Sequence, residues 1–339
     1  NKSTDYFNTK LYTGNYSTNA ITGVGFQPDL TWIKTRTTAG ENHYLFDVIR
    51  GVTKYLHSDT SAAQGTNAAT LTTFGSDGFT VGANNSVNKS GEPLVSWNWK
   101  ANGASVSNTA GSINSTVSVN TTSGFSIVQY TGNASQSQTV GHGLGVAPKL
   151  IIFKSSTSAD DWSICCPSVL GVDGRLTLNT TAANSIGDNT FWNSTAPSST
   201  LFSIGNNPRA NASGQTIIAY CFAEIPGFSK MGSYEGNGNA NGIFQHLGFK
   251  PAWVLIKNTT ATEAYFLYDN KRGYNGSMAA LFPDEAAADA FANNIDFLSN
   301  GFKIRTAGAI LNGNTTKYIY MAFASEPLVS TNGNAATAR

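Results

Sequence analysis

Apolar residues in this chain come in short bursts separated by Gly, Asn, Ser and Thr, and one burst is written three times. It reads Val24-Gly-Phe-Gln-Pro-Asp-Leu-Thr-Trp-Ile-Lys34, then Leu144-Gly-Val-Ala-Pro-Lys-Leu-Ile-Ile-Phe-Lys154, then Leu247-Gly-Phe-Lys-Pro-Ala-Trp-Val-Leu-Ile-Lys257. A Gly, a Pro and a Lys keep one spacing in all copies, which is the signature of a tandem repeat. The Gly suits a turn at positive φ. The Pro stands where a strand tolerates it, at the first residue. In the second and third copies the burst is apolar on both faces, with Leu150 and Ile152 on one and Ile151 and Phe153 on the other. That predicts a strand buried on both sides. The closing Lys reads as the return to solvent, its stem snorkelling at the strand end.

Other landmarks recur around the burst. Upstream lies an aromatic-led strand ending in Gly-Asn: Phe7 to Asn15, Phe125 to Asn133, Phe228 to Asn237. Downstream, a polar loop leads to a strand at His43 to Asp47, Trp162 to Cys166 and Tyr265 to Asp269. Arg50-Gly51 and Arg272-Gly273 follow in the first and third repeats, whereas the second has Val169-Leu170-Gly171. The turns Ser76-Asp-Gly-Phe79 and Ser299-Asn-Gly-Phe302 are strong hairpin signals. Each repeat closes with an alternating strand. Val95, Trp97 and Trp99 share a face, as do Ile218, Tyr220 and Phe222, and Ile319, Met321 and Phe323. Small residues alternate with several of them, which predicts a large-residue face packed on a second sheet. Helical pattern is confined to Asp284 to Asn294, with Pro283 at its start.

The fold class expected is all-β: three tandem β-sandwich, jelly-roll-like repeats with little helix. Their bounds are 1–101, 124–224 and 225–326. Residues 102–123, rich in Ser, Thr and Asn, read as a linker or an extended edge segment, and 327–339 as a loosely attached polar tail. The three repeats could form a pseudo-threefold ring or an extended string.

Composition narrows the function classes. Of 339 residues only 12% are charged and the net charge is +1, so no basic stripe exists for nucleic acid. No apolar run approaches the roughly 20 residues of a membrane-spanning helix. The chain opens Asn1-Lys-Ser-Thr-Asp, without an initiator Met or a signal-peptide pattern, as a processed form or part of a longer protein would. Cys165 and Cys166 are adjacent on a strand and should face opposite ways; they and Cys221 read as buried free thiols.

No catalytic constellation, metal site or cofactor motif emerges. His43, His57, His142 and His246 lack zinc spacing, and no Gly-x-Ser-x-Gly elbow frames a serine. Asp160-Asp161 lies on a polar loop, and Glu224 and Glu326 end equivalent strands, which favours a structural reading. Aromatic residues remain. Trp162, Tyr265 and His43 begin the strand after a variable loop, and Tyr234 and Tyr274 lie beside Gly/Asn-rich turns. Rings rimmed by amides and hydroxyls can stack on sugars, so these five residues are the candidate ligand-binding set.

Taken together, the motifs resemble a family of structural proteins from tailed, mostly marine, bacteriophages. The resemblance covers nearly the whole chain and rests on Gly25 to Lys34, Leu45-Phe-Asp-Val-Ile-Arg-Gly51, Ser76 to Phe79, Gly124-Phe-Ser-Ile-Val-Gln-Tyr-Thr-Gly132, Gly141 to Pro148, Ala219-Tyr-Cys-Phe-Ala-Glu224, Ile295 to Phe302 and Met321-Ala-Phe-Ala324. It implies a non-enzymatic virion protein exposed on the particle surface and assembled in the host bacterial cytoplasm. The expected role is a tail-fibre or appendage module that attaches to host-surface glycan, as a homo-oligomer (a trimer by analogy with fibres) with other virion proteins as partners. The alternative is a capsid decoration or knob protein. A surface-polysaccharide depolymerase would need paired carboxylates in a groove, and no defensible pair is present.

Overall fold

Each copy of the repeated burst folds into a strand buried from end to end: Leu30–Thr35, Leu150–Ser155 and Pro251–Asn258. This computed structural model describes residues 2–325; Glu326 and the tail expected at 327–339 lie outside the described residues. The buried strand, here the lysine strand, pairs antiparallel with two neighbours. On one side is the closing strand (Pro93–Trp99, Thr216–Phe222, Lys317–Ala324). On the other is an outer strand (Tyr44–Asp47, Ser163–Cys165, Phe266–Asp269). The closing strand pairs in turn with a lead strand (Phe7–Thr13, Phe125–Thr131, Ser229–Glu235). The order lead, closing, lysine, outer thus recurs in all three segments.

A smaller sheet covers one face of each large one. It comprises Asn19–Thr22, Gly78–Val81 and Leu71–Gly75 in repeat 1, and Gln138–Gly141 with Leu201–Ile204 in repeat 2. In repeat 3 it comprises Phe244–His246, Gly301–Ile304 and Ile295–Leu298. Between the sheets lie three private cores, with Ile33, Phe46 and Phe79 in the first, Phe153, Phe202 and Cys221 in the second, and Val254, Tyr268 and Phe302 in the third. The chain is all-β, and its five α-helices among the described residues have four residues each.

Period-two alternation decides what the opposite face does. Leu30, Trp32, Trp97 and Trp99 turn away from their own small sheet, as do Ile152, Tyr220 and Phe222, and Trp253, Leu255, Met321 and Phe323. All of them meet in one central core shared by the three repeats. The large face of each closing strand therefore packs on the other repeats, where the sequence suggested a second sheet of its own. At the axis Trp99, Phe222 and Phe323, which hold matching positions, form a triangle with ring centroids 5.7 to 6.4 Å apart. Only a dry void of about 10 Å³ remains beside them, lined by Trp32, Tyr220, Trp253 and other apolar residues. That is space for at most about one water, with almost no polar partner to hold it.

Backbone bonds close the ring in the same sense at every seam. The acceptor is always the carbonyl two residues past the repeated lysine. Gln64 N donates to Ser156 O (2.9 Å), Asn184 N to Thr259 O (2.9 Å) and Asp289 N to Arg36 O (2.7 Å). Of the two arrangements open from sequence, the structure has the ring.

Two local expectations are corrected and one alternative is decided. Lys34, Lys154 and Lys257 do not return to solvent; they are 0%, 0% and 1% exposed. Residues 284–294 do not form a helix: a turn follows Pro283, and Ala290–Ala292 pairs with Met278–Leu281. Strand pairing overrides the helix propensity of the alanines there. Of the two readings of residues 102–123, the structure has the extended edge segment: Val106–Asn108 and Ser115–Asn120 extend the sheet of repeat 2 beyond its lead strand. The lead strands of repeats 1 and 3 are sheet edges, and Lys10 sits in the first where the covered strand has Val128, a charge of the kind that discourages edge pairing.

Candidate functional site

His43, Trp162 and Tyr265 prove to be one position seen three times. Each immediately precedes its outer strand, and its backbone N–H donates to an acceptor on the following loop: Asp59 (3.2 Å), Asn179 (2.8 Å) and Asp284 (3.1 Å). Their rings are 0%, 0% and 1% exposed and lie in or against the central core. Trp162 Nε1 donates to the His57 carbonyl of repeat 1 at 2.7 Å. His43 Nδ1 accepts from Trp32 Nε1 at 2.8 Å, and burial holds the imidazole well below its usual pKa, hence neutral. These rings offer no face to a sugar; they hold the repeats together.

Beside each ring lies the buried lysine. Its Nζ donates to the next residue's carbonyl, Thr35 (3.1 Å), Ser155 (2.6 Å) or Asn258 (2.6 Å). In repeats 2 and 3 it also reaches a loop carbonyl, Ser158 (3.0 Å) or Ala261 (3.3 Å). Burial lowers all three ammoniums to about 8. Burial likewise raises the Asp59 carboxyl to about 6 and that of Asp284 to about 7. An amine near neutrality is chemically able to act as a base or nucleophile, but at 0–1% exposure these have no access to substrate. They anchor strand ends.

Tyr234 is also buried, at 7%, and its role is local. Its hydroxyl donates to Leu311 O at 2.7 Å, as Tyr12 does to Val87 O and Tyr130 to Ala210 O, both also at 2.7 Å. A buried Asn completes each latch. Asn88, Asn211 and Asn312 accept from the backbone N–H of Asn15, Asn133 and Asn237 at 2.8 to 3.0 Å. Each also donates through Nδ2 to the carbonyl six residues before it. The repeated glycine of this turn is obligatory for closeness: a Cβ on Gly14, Gly132 or Gly236 would stand 2.1 to 2.3 Å from a carbonyl oxygen.

Between repeats, two buried acids receive partners from across the seam. Asp47 Oδ2 accepts from Arg50 Nε (2.5 Å) and from Tyr220 Oη of repeat 2 (2.8 Å). Asp269 Oδ2 accepts from Arg272 Nε (2.6 Å) and from Trp97 Nε1 of repeat 1 (2.9 Å). Arg272 also meets Asp289 at 2.6 Å. The matching positions of the third seam hold Cys166, Val169 and Met321.

Of the five candidate residues only Tyr274 is exposed, at 75%. It precedes Asn275 and Gly276, which line an open groove on repeat 3 of about 580 Å³ together with Ala240, Asn241, Asn293, Asp296 and Arg305. Asn275 is spent on the Phe297 backbone, donating to its carbonyl (3.0 Å) and accepting from its N–H (2.8 Å). Asp296 and Arg305 pair at 2.5 Å, so the groove carries no net charge from them. The Asn241 and Asn293 side chains make no hydrogen bond among the described residues. Phe291, two residues before Asn293, is 58% exposed. Free amides and exposed rings beside a neutral groove suit a ligand with hydroxyls on its edge and an apolar face.

Among the described residues no group of His, Cys, Asp and Glu is arranged to hold a metal ion, and no helix is long and apolar enough to cross a membrane. Asp161 of the polar loop is taken by Arg209 (2.6 Å) and Asn179 (2.9 Å). A domain of unknown function, DUF7483, matches residues 2–327. The chain belongs to this family. No curated protein and no solved structure matches it. The DUF7483 match spans ring, seams and groove alike, so the domain comprises all three repeats.

Sequence reasoning missed the latch asparagines and the Asp–Arg pairs of this DUF7483 chain. Asp47 and Asp269 had a signal, the Asp-x-x-Arg-Gly spelled in two repeats and absent from the third. The asparagines had none that stood out in so Asn-rich a chain.

Proposed function

We propose that this chain is a non-enzymatic surface component of a tailed-bacteriophage particle and that it attaches the particle to host-surface glycan. The observation that carries the reading is the neutral, amide-lined groove of repeat 3, with exposed Tyr274 next in the chain to its lining residue Asn275. A protein with this role holds cells without cleaving their polymer. Purified chain should bind host cells and compete with particles for them, and Tyr274→Ala with Asn293→Ala should abolish both. Retention of full competition by the double variant would remove the groove from the proposal.

The closed ring favours a second reading, a shell-decorating protein, because a chain with internal pseudo-threefold symmetry presents to a shell what a trimer presents. Gold-labelled antibody on intact particles separates the two: label at the tail supports attachment, and label over the head supports decoration. Association of three whole chains, as in a fibre, is a further step, because one chain already closes its own ring. Light scattering reads it as a mass of one chain or of three.

A further inference from the structure

We propose that the ring opens at the seam between repeats 2 and 3 while its other two seams stay shut. The seams are built on one plan but tied unequally. Between repeats 1 and 3, side chains cross as Trp97 to Asp269, Arg36 to Asp289 (2.8 Å) and Ser58 Oγ to Pro283 O (2.7 Å). Between repeats 1 and 2, Tyr220 reaches Asp47 and Trp162 reaches His57 O. Between repeats 2 and 3, among the described residues, the side-chain bonds across are that of Lys317 Nζ to Val169 O (3.0 Å), which is exposed, and that of Ser229 Oγ to Ala223 O (3.2 Å), which flanks the covalent link itself; neither joins two side chains.

The interior of the same seam is imperfect. Tyr265 Oη is buried there without a hydrogen-bond partner. A void of about 10 Å³ lies between Leu150, Ile164 and Leu176 of repeat 2 and Leu255, Tyr265 and Met321 of repeat 3. Unpaired polar atoms and missing packing both lower the cost of separating two surfaces. The short link Ile225-Pro226-Gly227, with Gly227 at φ +76°, joins the two repeats and is placed to serve as the hinge.

The chain carries its own reporters. Cys166 belongs to the central core and caps the helix Pro167–Leu170, which packs against the lead strand Ser229–Glu235 of repeat 3. Cys165 and Cys221 belong to the private core of repeat 2. Opening this seam uncovers the first and leaves the others shielded.

The test is timed alkylation of the full chain in sub-denaturing urea. One thiol equivalent should react about tenfold or more ahead of the other two, and Cys166→Ala should remove that fast phase. A common rate for all three thiols, or a fast phase that survives in Cys166→Ala, overturns the proposal. Hydrogen exchange on the unsubstituted chain gives an independent reading. The amides of Asn184 and Glu263, which bond across this seam, should exchange before those of Gln64, Gly40 and Asp289, which bond across the others. The reverse order overturns it as well.

Discussion

The seam between repeats 1 and 3 and the seam between repeats 2 and 3 join equivalent surfaces by opposite means. Repeats 1 and 3 are far apart in sequence, and a buried Asp–Arg pair, a Trp donor and the Arg36–Asp289 pair tie them. Repeats 2 and 3 follow one another through residues 225–227, and Cys166, Val169 and Met321 stand at the matching positions. A short covalent link keeps two surfaces at high effective concentration. The seam that has one can dispense with oriented polar ties, and the seam that closes the ring from a distance cannot. A buried ion pair is a poor source of net stability compared with apolar packing, yet its partners must meet in one geometry. We read the Asp–Arg seams as fixing register and the Cys–Met seam as filling space.

The largest test of that contrast is Asp269→Ala. It takes one of the two carboxylates from the buried Arg272 guanidinium, leaves Trp97 Nε1 without its acceptor, and should cost about 3–5 kcal/mol in urea unfolding. A cost below 1 kcal/mol would deny the seam its role. Next comes pH. Burial raises the Asp284 carboxyl to about 7, above its unfolded value, so the folded chain binds this proton more tightly. The stability it contributes is fully present below about pH 4 and is lost as pH rises through 7, up to about 4 kcal/mol in all. Asp284→Asn, which copies Asn179 of repeat 2, should flatten the stability profile between pH 4 and 7. An unchanged slope would refute the assignment.

The latches provide the control, because all three repeats share them. Asn88→Ala, Asn211→Ala and Asn312→Ala should each cost about 1–3 kcal/mol for the unpaired backbone groups left behind. Values that differ by seam would show that the latches are coupled to the ring. Smallest is Cys166→Val, a near-isosteric change at an apolar position, with an expected effect under about 1.5 kcal/mol. A larger loss would mean that the thiol makes a polar contact the seam depends on.

The strands, the repeat spacing and the faces of the closing strands were legible from period-two alternation alone. Cys165 and Cys166 do point into different cores. The partner of each face was not legible. A strand apolar on both sides reveals that something covers it, and another repeat covers it as well as another sheet would. The lysines misled for a related reason. A strand-end Lys has one sequence whether its ammonium meets water or a loop carbonyl, and Ser158 O and Ala261 O come from the loop path. His43, Trp162, Tyr265 and Tyr234 were aromatic residues beside polar loops, which describes a seam as well as a binding platform. Of the five candidates, Tyr274 alone kept its side chain in solvent, at 75% exposure.

The aromatic triangle at the axis has a mechanical consequence. A ring can serve as a passage only where its axis leaves a lumen. Here Trp99, Phe222 and Phe323 fill the axis and leave about 10 Å³ beside them. No strand, ion or polymer threads such a centre, so this ring is a plug.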